Sequence, residues 1–158
     1  MKDWYKEMET VLLNKTANYS KQEKENLQIE YLKNLITKIK TEELIIEKDL
    51  QTKIEGVIMD LPLKTNDEKV VYKSKHINEI TNLQTAIAQK FNLVKKKHYL
   101  RKYRTIGIAI GLMIGIPIAT AFGKIALGPI IGTTIGLFLG IIIGNRRDNK
   151  AEFENRVL

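Results

Sequence analysis

The side chains in this sequence that could ligate a metal or transfer a proton are few and widely spaced. The chain has two histidines, His76 and His98, and no cysteine. His76 and Glu79 would share one face of a helix, where such a pair usually meets solvent, but a zinc site needs further ligands at defined spacing. There is no phosphate-binding glycine loop, and no serine has the context of a nucleophile elbow. We therefore predict no enzyme activity, no catalytic residue, no metal site and no cofactor.

The basic side chains form a cluster whose position in the chain indicates a role. Residues 1–94 hold 15 basic and 15 acidic residues, whereas residues 95–104 hold six basic residues and no acidic one. A basic cluster can bind nucleic acid, but this one adjoins a long apolar segment, so contact with anionic lipid and control of topology are favoured. The residues assigned to this role are Lys95, Lys96, Lys97, Arg101, Lys102, Arg104, Arg146 and Arg147.

The apolar segment, residues 105–144, contains one ionisable side chain, Lys124. Lys124 separates two runs that would each form a helix about 27–30 Å long, which matches the thickness of a bilayer. Basic residues flank the outer ends of both runs, so the positive-inside rule predicts that both termini face the cytoplasm. The abundance of Ile, Lys and Asn suggests a bacterial source, so we expect the inner (cytoplasmic) membrane. The first residues lack the apolar region of a signal peptide, and we expect none to be cleaved.

Small residues recur at every fourth position of both runs. They are Gly107, Gly111, Gly115, Ala119 and Gly123 in the first run, and Gly128, Gly132, Gly136, Gly140 and Gly144 in the second. Such rows let helices approach backbone to backbone in lipid, with a right-handed crossing near −40°. The alternative is that glycine is simply frequent in membrane helices. We interpret the rows as helix-packing surfaces.

These two rows resemble the glycine-zipper transmembrane hairpins of small bacterial membrane proteins. The resemblance is limited to residues 105–144. Proteins of this kind include anchors, pores and lysis factors, so the resemblance implies close packing of membrane helices and leaves the activity open. Thr120, Thr133 and Thr134 are expected to donate hydrogen bonds to helix carbonyls, with pore lining as the alternative.

Three further segments are predicted around the hairpin. Residues 1–19 form an amphipathic N-terminal helix that lies either on the membrane or, as we favour, on its own bundle. Residues 20–104 form a cytoplasmic helical hairpin with a turn near residues 62–66. Its first helix starts at a Ser20–Glu23 capping box and ends before Pro62, and its second helix runs without a break into the first span. Residues 145–158 form a cytoplasmic tail. Residues 148–158 could form a helical turn or two, with Phe153, Val157 and Leu158 docked on the stalk, or the tail is disordered.

The predicted fold is all-α, a long antiparallel coiled-coil hairpin continuous with a two-helix transmembrane hairpin. Because each monomer would leave an apolar stripe and a zipper surface uncovered, we expect a homo-oligomer. The expected function is a membrane protein that self-associates through its spans and couples the coiled coil to the membrane, as a pore-forming or membrane-perturbing effector. The alternative is a non-conducting anchor or scaffold that recruits a cytoplasmic protein through residues 20–94.

Overall fold

The computed structural model describes residues 2–64, 74–123 and 125–158, and within these ranges the chain is helical without strands. This confirms the all-α prediction. The helices are α1 (Lys2–Thr16), α2 (Lys21–Asn26), α3 (Ile29–Thr41), α4 (Lys48–Met59), α5 (Ser74–Phe91), α6 (His98–Ala121) and α7 (Leu127–Phe153). Lys124, residues 65–66 of the predicted turn and the predicted start of the second long helix lie outside the described residues.

The chain divides into two compact units. The first comprises residues 1–93 together with Leu158, and we call it the helical domain. The second comprises residues 94–157, and we call it the hairpin.

Large aliphatic side chains from α1, α3, α4 and α5 fill the core of the helical domain. In α3 the apolar residues recur at steps of three and four, which places them on one face of the helix. The side chains with less than 2% exposure are Leu12, Leu27, Leu32, Leu35, Ile36, Ile39, Ile54, Ile58, Ile80, Leu83 and Ile87. Leu158 joins this core at the end of the chain. The helical domain is therefore stabilised by the burial of apolar side chains away from water.

The N-terminal helix α1 packs on the helical domain, as we favoured. Met8 and Leu12 are buried in the core, and Trp4 is partly buried against it. The indole N–H of Trp4 donates a hydrogen bond to the Glu55 carboxylate. The apolar face of α1 is therefore taken up within the chain and is not available to a membrane surface.

The Ser20–Glu23 capping box is confirmed. The Ser20 hydroxyl accepts a hydrogen bond from the backbone N–H of Glu23 at 3.3 Å, and the Glu23 carboxylate accepts one from the Ser20 N–H at 2.6 Å. The two bonds satisfy backbone donors at the start of α2 that would otherwise lack a partner.

The prediction of one long helix over residues 21–61 is wrong. The chain breaks at Gln28 and at Glu43, which adopt left-handed backbone angles with φ of +55° and +47°. A single rod about 60 Å long would expose its apolar stripe unless a partner covered it. The breaks allow α3 and α4 each to pack against α1, and α4 also packs against α5. This buries the apolar stripe within one chain.

The prediction that the second long helix continues into the first span is also wrong. Helix α5 ends at Phe91 and α6 begins at His98. Asn92 and Lys97 have positive φ angles, +56° and +59°, and Leu93 between them is buried in the domain core. Asparagine tolerates the left-handed conformation that commonly ends a helix, so Asn92 can stop α5 at little cost.

A candidate membrane hairpin

Helices α6 and α7 are each long and apolar enough to cross a membrane, judged by length and composition. The core helices of a soluble protein pass the same test, but they are mostly buried. In the most apolar 18-residue stretch of each helix, 6% of α6 and 28% of α7 is buried. The hairpin therefore presents most of its apolar side chains outward.

The two helices meet backbone to backbone along what we call the glycine seam, formed by Gly107, Gly111, Gly115, Gly128, Gly132, Gly136, Gly140 and Gly144. A Cβ built on Gly111 would lie 2.7 Å from the carbonyl carbon of Gly132, and one on Gly132 would lie 2.9 Å from that of Gly111. Real Cβ atoms essentially never approach closer than 3.0 Å. Each position of the seam therefore requires glycine, because the atom in the way belongs to the opposite backbone.

The seam runs in antiparallel register along the length of the hairpin. Gly107 faces Gly136 and Gly115 faces Gly128, whereas a Cβ on Gly144 would lie 2.6 Å from the Cα of Leu100. Both glycine rows thus face each other inside a single chain. We had expected the zipper surface to remain uncovered in the monomer, and in the structure it is covered.

Two of the ten predicted small residues play other parts. Ala119 places its Cβ against Gly128, so it closes the end of the seam. Gly123 has φ of +67° and nothing within 4 Å of the Cβ position, and it lies just after the last residue of α6. Its conformational freedom serves the turn between the helices and not the packing.

One face of the hairpin carries a regular double row of large apolar side chains, each directly before a small residue of the two rows. We call it the isoleucine-rich face, and all its residues are exposed: Ile106, Ile110, Ile114, Ile118, Phe122, Leu127, Ile131, Ile135, Leu139 and Ile143. Because the seam between the rows lacks side chains, a groove of about 330 Å³ lies between them. The groove is lined by apolar residues throughout, which suits hydrocarbon and not water.

Three threonine hydroxyl groups in the apolar runs of the hairpin donate to its own backbone. Thr120 donates to the carbonyl of Ile116 at 2.8 Å, and Thr133 donates to that of Pro129 at 2.6 Å. Thr134 donates likewise to its own helix. This confirms the expected bonding to helix carbonyls.

Asp148, which the sequence analysis did not single out, caps α6 from α7. Its two carboxylate oxygens accept hydrogen bonds from the backbone N–H groups of Tyr99 at 3.0 Å and Leu100 at 2.8 Å. Lys97, at the N-cap position, provides no side-chain bond. A carboxylate at a helix N-terminus satisfies free donors and matches the helix dipole. The one sequence signal was an acidic residue directly after Arg146 and Arg147.

The predicted tail is largely helical, because α7 continues to Phe153. Beyond it, the N–H of Val94 donates to the carbonyl of Arg156 at 2.8 Å and ties the ends of the hairpin together. Phe153 does not dock as proposed, since it is 94% exposed, whereas Leu158 is buried.

The basic residues assigned to lipid contact lie at the base of the hairpin, at the outer ends of α6 and α7. Seven of the eight are exposed, and Lys95 is half-buried. Arg147 also lies over the ring of Tyr103, with 5.2 Å between its guanidinium carbon and the ring centroid. The base of the hairpin therefore combines exposed positive charge with an aromatic ring, a combination typical of membrane–water interfaces.

Among the residues that the structure describes, no group of three acidic, histidine or cysteine residues could hold a metal ion. His76 does not lie on a solvated surface as the sequence analysis supposed, because it is 4% exposed. No family model, curated protein or solved structure matches the chain. The assignment of a function therefore depends on the residues of this chain.

Proposed function

We propose that the protein is a non-conducting two-span anchor, similar to glycine-zipper hairpins, that holds the helical domain at the cytoplasmic face of the bacterial inner membrane. There the helical domain would recruit a protein partner. The proposal combines an outward-facing apolar hairpin with a compact domain that has its own core.

The observation that carries the proposal is the glycine seam. In lipid, helix pairs gain no hydrophobic energy from contact, so close backbone approach supplies the attraction. Here that approach is complete within one chain, and the hairpin needs no second copy to satisfy it. The three bonded threonine hydroxyls and the apolar lining of the groove support a non-conducting hairpin.

The charge distribution supports the orientation. Positive residues concentrate at the base of the hairpin, and anionic lipids of the inner leaflet attract such clusters at about 1 kcal/mol per residue. Asp148 fixes this end of α6 against α7, so the base would lie at the headgroup level as one structural piece.

Liposomes of phosphatidylcholine and phosphatidylglycerol test the proposal directly. We expect the full-length protein to insert without releasing a trapped fluorescent dye, and cells to protect tags on both termini from external protease. Removing charge at Arg101, Lys102 and Arg104 by substitution with glutamine should weaken binding to anionic vesicles and not to neutral ones. Digestion of either tag from outside would contradict the orientation.

The second candidate is the membrane-perturbing oligomer, and the isoleucine-rich face favours it. That face remains exposed in the monomer and contains a groove into which side chains of another copy could pack. Native mass spectrometry of the detergent-solubilised protein distinguishes the two candidates. A ring of many copies that releases the dye would replace the anchor with the effector, and a monomer would exclude the pore.

A further inference from the structure

His76 occupies a core position of α5. Together with Ile80, Leu83 and Ile87 it forms the inward row of this helix, and all four side chains are between 0% and 4% exposed. The other three positions of the row are aliphatic. Within the described part of the chain, neither ring nitrogen of His76 has a hydrogen-bond partner.

The surroundings of His76 disfavour a positive charge on the ring. The side chain of His76 is 4% exposed, so a charge on its ring would lose most of its contact with water. Burial lowers the pKa of His76 below its usual 6.5, and the nearby carboxylates of Glu79 and Asp60 oppose this shift without reversing it.

The charged groups around this end of α5 are engaged with one another. Lys75 lies 3.3 Å from the carboxylate of Glu79 and 3.5 Å from that of Asp60, which follows α4. With Lys53 these residues border a groove of about 330 Å³ between α4 and α5. Near the end of α4, Lys15 of α1 donates to the Leu61 carbonyl at 3.1 Å, and Lys64 pairs with Glu23 at 3.0 Å.

We propose that His76 makes the contact between α4 and the first turns of α5 pH-sensitive, so that this end of α5 separates from the domain core in mild acid. The inference concerns the helical domain alone and does not depend on the proposed membrane anchor. Its physical basis is a titratable ring that is buried with the apolar residues of its row and has no bonded partner to stabilise the charged form.

The direction of the effect follows from proton linkage. In the open state the ring reaches water and binds a proton near pH 6.5, whereas in the closed state it binds one only at lower pH. The open state therefore binds more protons below about pH 6.5, and acid favours opening by up to about tenfold per pH unit for one group. Above that pH the neutral ring leaves the contact intact.

Amide hydrogen exchange on the full-length protein in detergent micelles provides the test. We expect the protection of residues 77–83, corrected for the intrinsic exchange rate at each pH, to fall about tenfold between pH 7 and pH 5. His76→Phe keeps a ring at this position without a titrating group, so its protection should change less than twofold over the same range. His98→Gln is the matched control, since it removes the other histidine and should behave as the wild type.

Proton NMR of the two histidine rings keeps the inference testable if His76→Phe fails to fold, and His76→Gln serves as a second non-titrating variant. The ring signals that disappear in His76→Gln belong to His76. In the wild type we expect these signals to titrate below pH 6.5, over the same pH range as the loss of protection. Equal loss of protection in the wild type and in both non-titrating variants would overturn the proposal. So would a His76 ring that titrates normally while protection stays constant.

Discussion

The helical domain and the hairpin use apolar residues in opposite ways. In the helical domain the large aliphatic side chains point inward, and Leu35 and Ile54 are completely buried. In the hairpin they point outward, and glycines form the contact between helices. The same amino acids thus stabilise one region by leaving water, whereas in the other region they remain exposed.

This contrast shows which force holds each region. Burial of apolar surface from water contributes about 25 cal/mol per Å², and it tolerates modest changes in shape. Between helices in lipid that term is absent, so backbone contact and dispersion remain. Contact of this kind depends steeply on distance. The helical domain should therefore tolerate small changes that the hairpin does not.

The largest expected effect comes from making one substitution, glycine to alanine, in both regions. In the hairpin, Gly132→Ala places a methyl group against the backbone of Gly111 and should destabilise the helix pair by about 1–3 kcal/mol. In the helical domain, Gly56→Ala should stabilise α4 by about 1 kcal/mol, because the Cβ position has nothing within 4 Å. The two effects should have opposite signs.

Each region has its own reporter for this comparison. Trp4 is the single tryptophan of the chain and lies in the helical domain, so its fluorescence during urea unfolding follows that domain. Because the chain has no cysteine, spin labels on Met113→Cys and Ile130→Cys, both exposed positions, can measure the separation of α6 and α7. If Gly132→Ala left that separation and the hairpin's resistance to SDS unchanged, backbone contact would not be what holds the hairpin.

The sequence also predicts the structure of the two regions to different extents, because their helices are held by different kinds of contact. In the hairpin the four-residue spacing of Gly107 to Gly115 and of Gly128 to Gly144 marks the contacting surfaces directly, because a glycine there has one steric purpose. The helix ends near Gly123 and the bonding of Thr133 also followed from local rules. The turn between the hairpin's helices was therefore predictable from sequence, whereas the break before His98 and the continuation of α7 to Phe153 were not.

The helical domain was predictable only in part. The capping box at Ser20 was evident, but the breaks at Gln28 and Glu43 were not, since neither residue type marks a left-handed turn. These breaks are imposed by tertiary burial, which local propensity does not contain. Asp148 was missed for a similar reason, because its partners Tyr99 and Leu100 lie some fifty residues away. His76 was placed on the surface because its helical row was not recognised as the inward one.

A smaller effect should follow from removing the cap that Asp148 provides to α6. Asp148→Ala leaves the N–H groups of Tyr99 and Leu100 without their acceptor, and loss of a capping side chain typically costs about 0.5–2 kcal/mol. We expect the base of the hairpin to fray while the glycine seam stays closed. Amide exchange at residues 99–101 should rise in the variant, and exchange at residues 111–115 should not.

Asp148→Asn is the matched variant, because it keeps one acceptor oxygen and removes the charge. It should retain part of the protection at residues 99–101. Equal protection in the wild type and in Asp148→Ala would show that the hairpin is held by the seam alone, without help from its base.

The smallest expected effect comes from removing one hydroxyl group, and it should differ between the helical domain and the hairpin. The hairpin threonines donate to their own helix carbonyls, whereas the hydroxyl of Tyr31 is buried in the helical domain without a partner among the described residues. Tyr31→Phe keeps the ring and removes this group, so it should stabilise the domain by about 1 kcal/mol. Thr133→Val in the hairpin, which removes a bonded hydroxyl, should not stabilise it.

The pH dependence of the stability difference between the wild type and Tyr31→Phe gives a sharper test. Burial raises the pKa of Tyr31 above its usual 10, so the folded state keeps a proton that the unfolded state releases in alkali. Ionisation of Tyr31 therefore does not affect the stability of the wild type below about pH 10. Above that pH the unfolded chain loses the proton first, and the wild type becomes less stable as the pH rises. Urea unfolding followed by Trp4 fluorescence should therefore show a growing advantage of Tyr31→Phe above pH 10. An advantage that stayed constant with pH would mean that the Tyr31 hydroxyl ionises as readily in the folded domain as in the unfolded chain, and so that it reaches water.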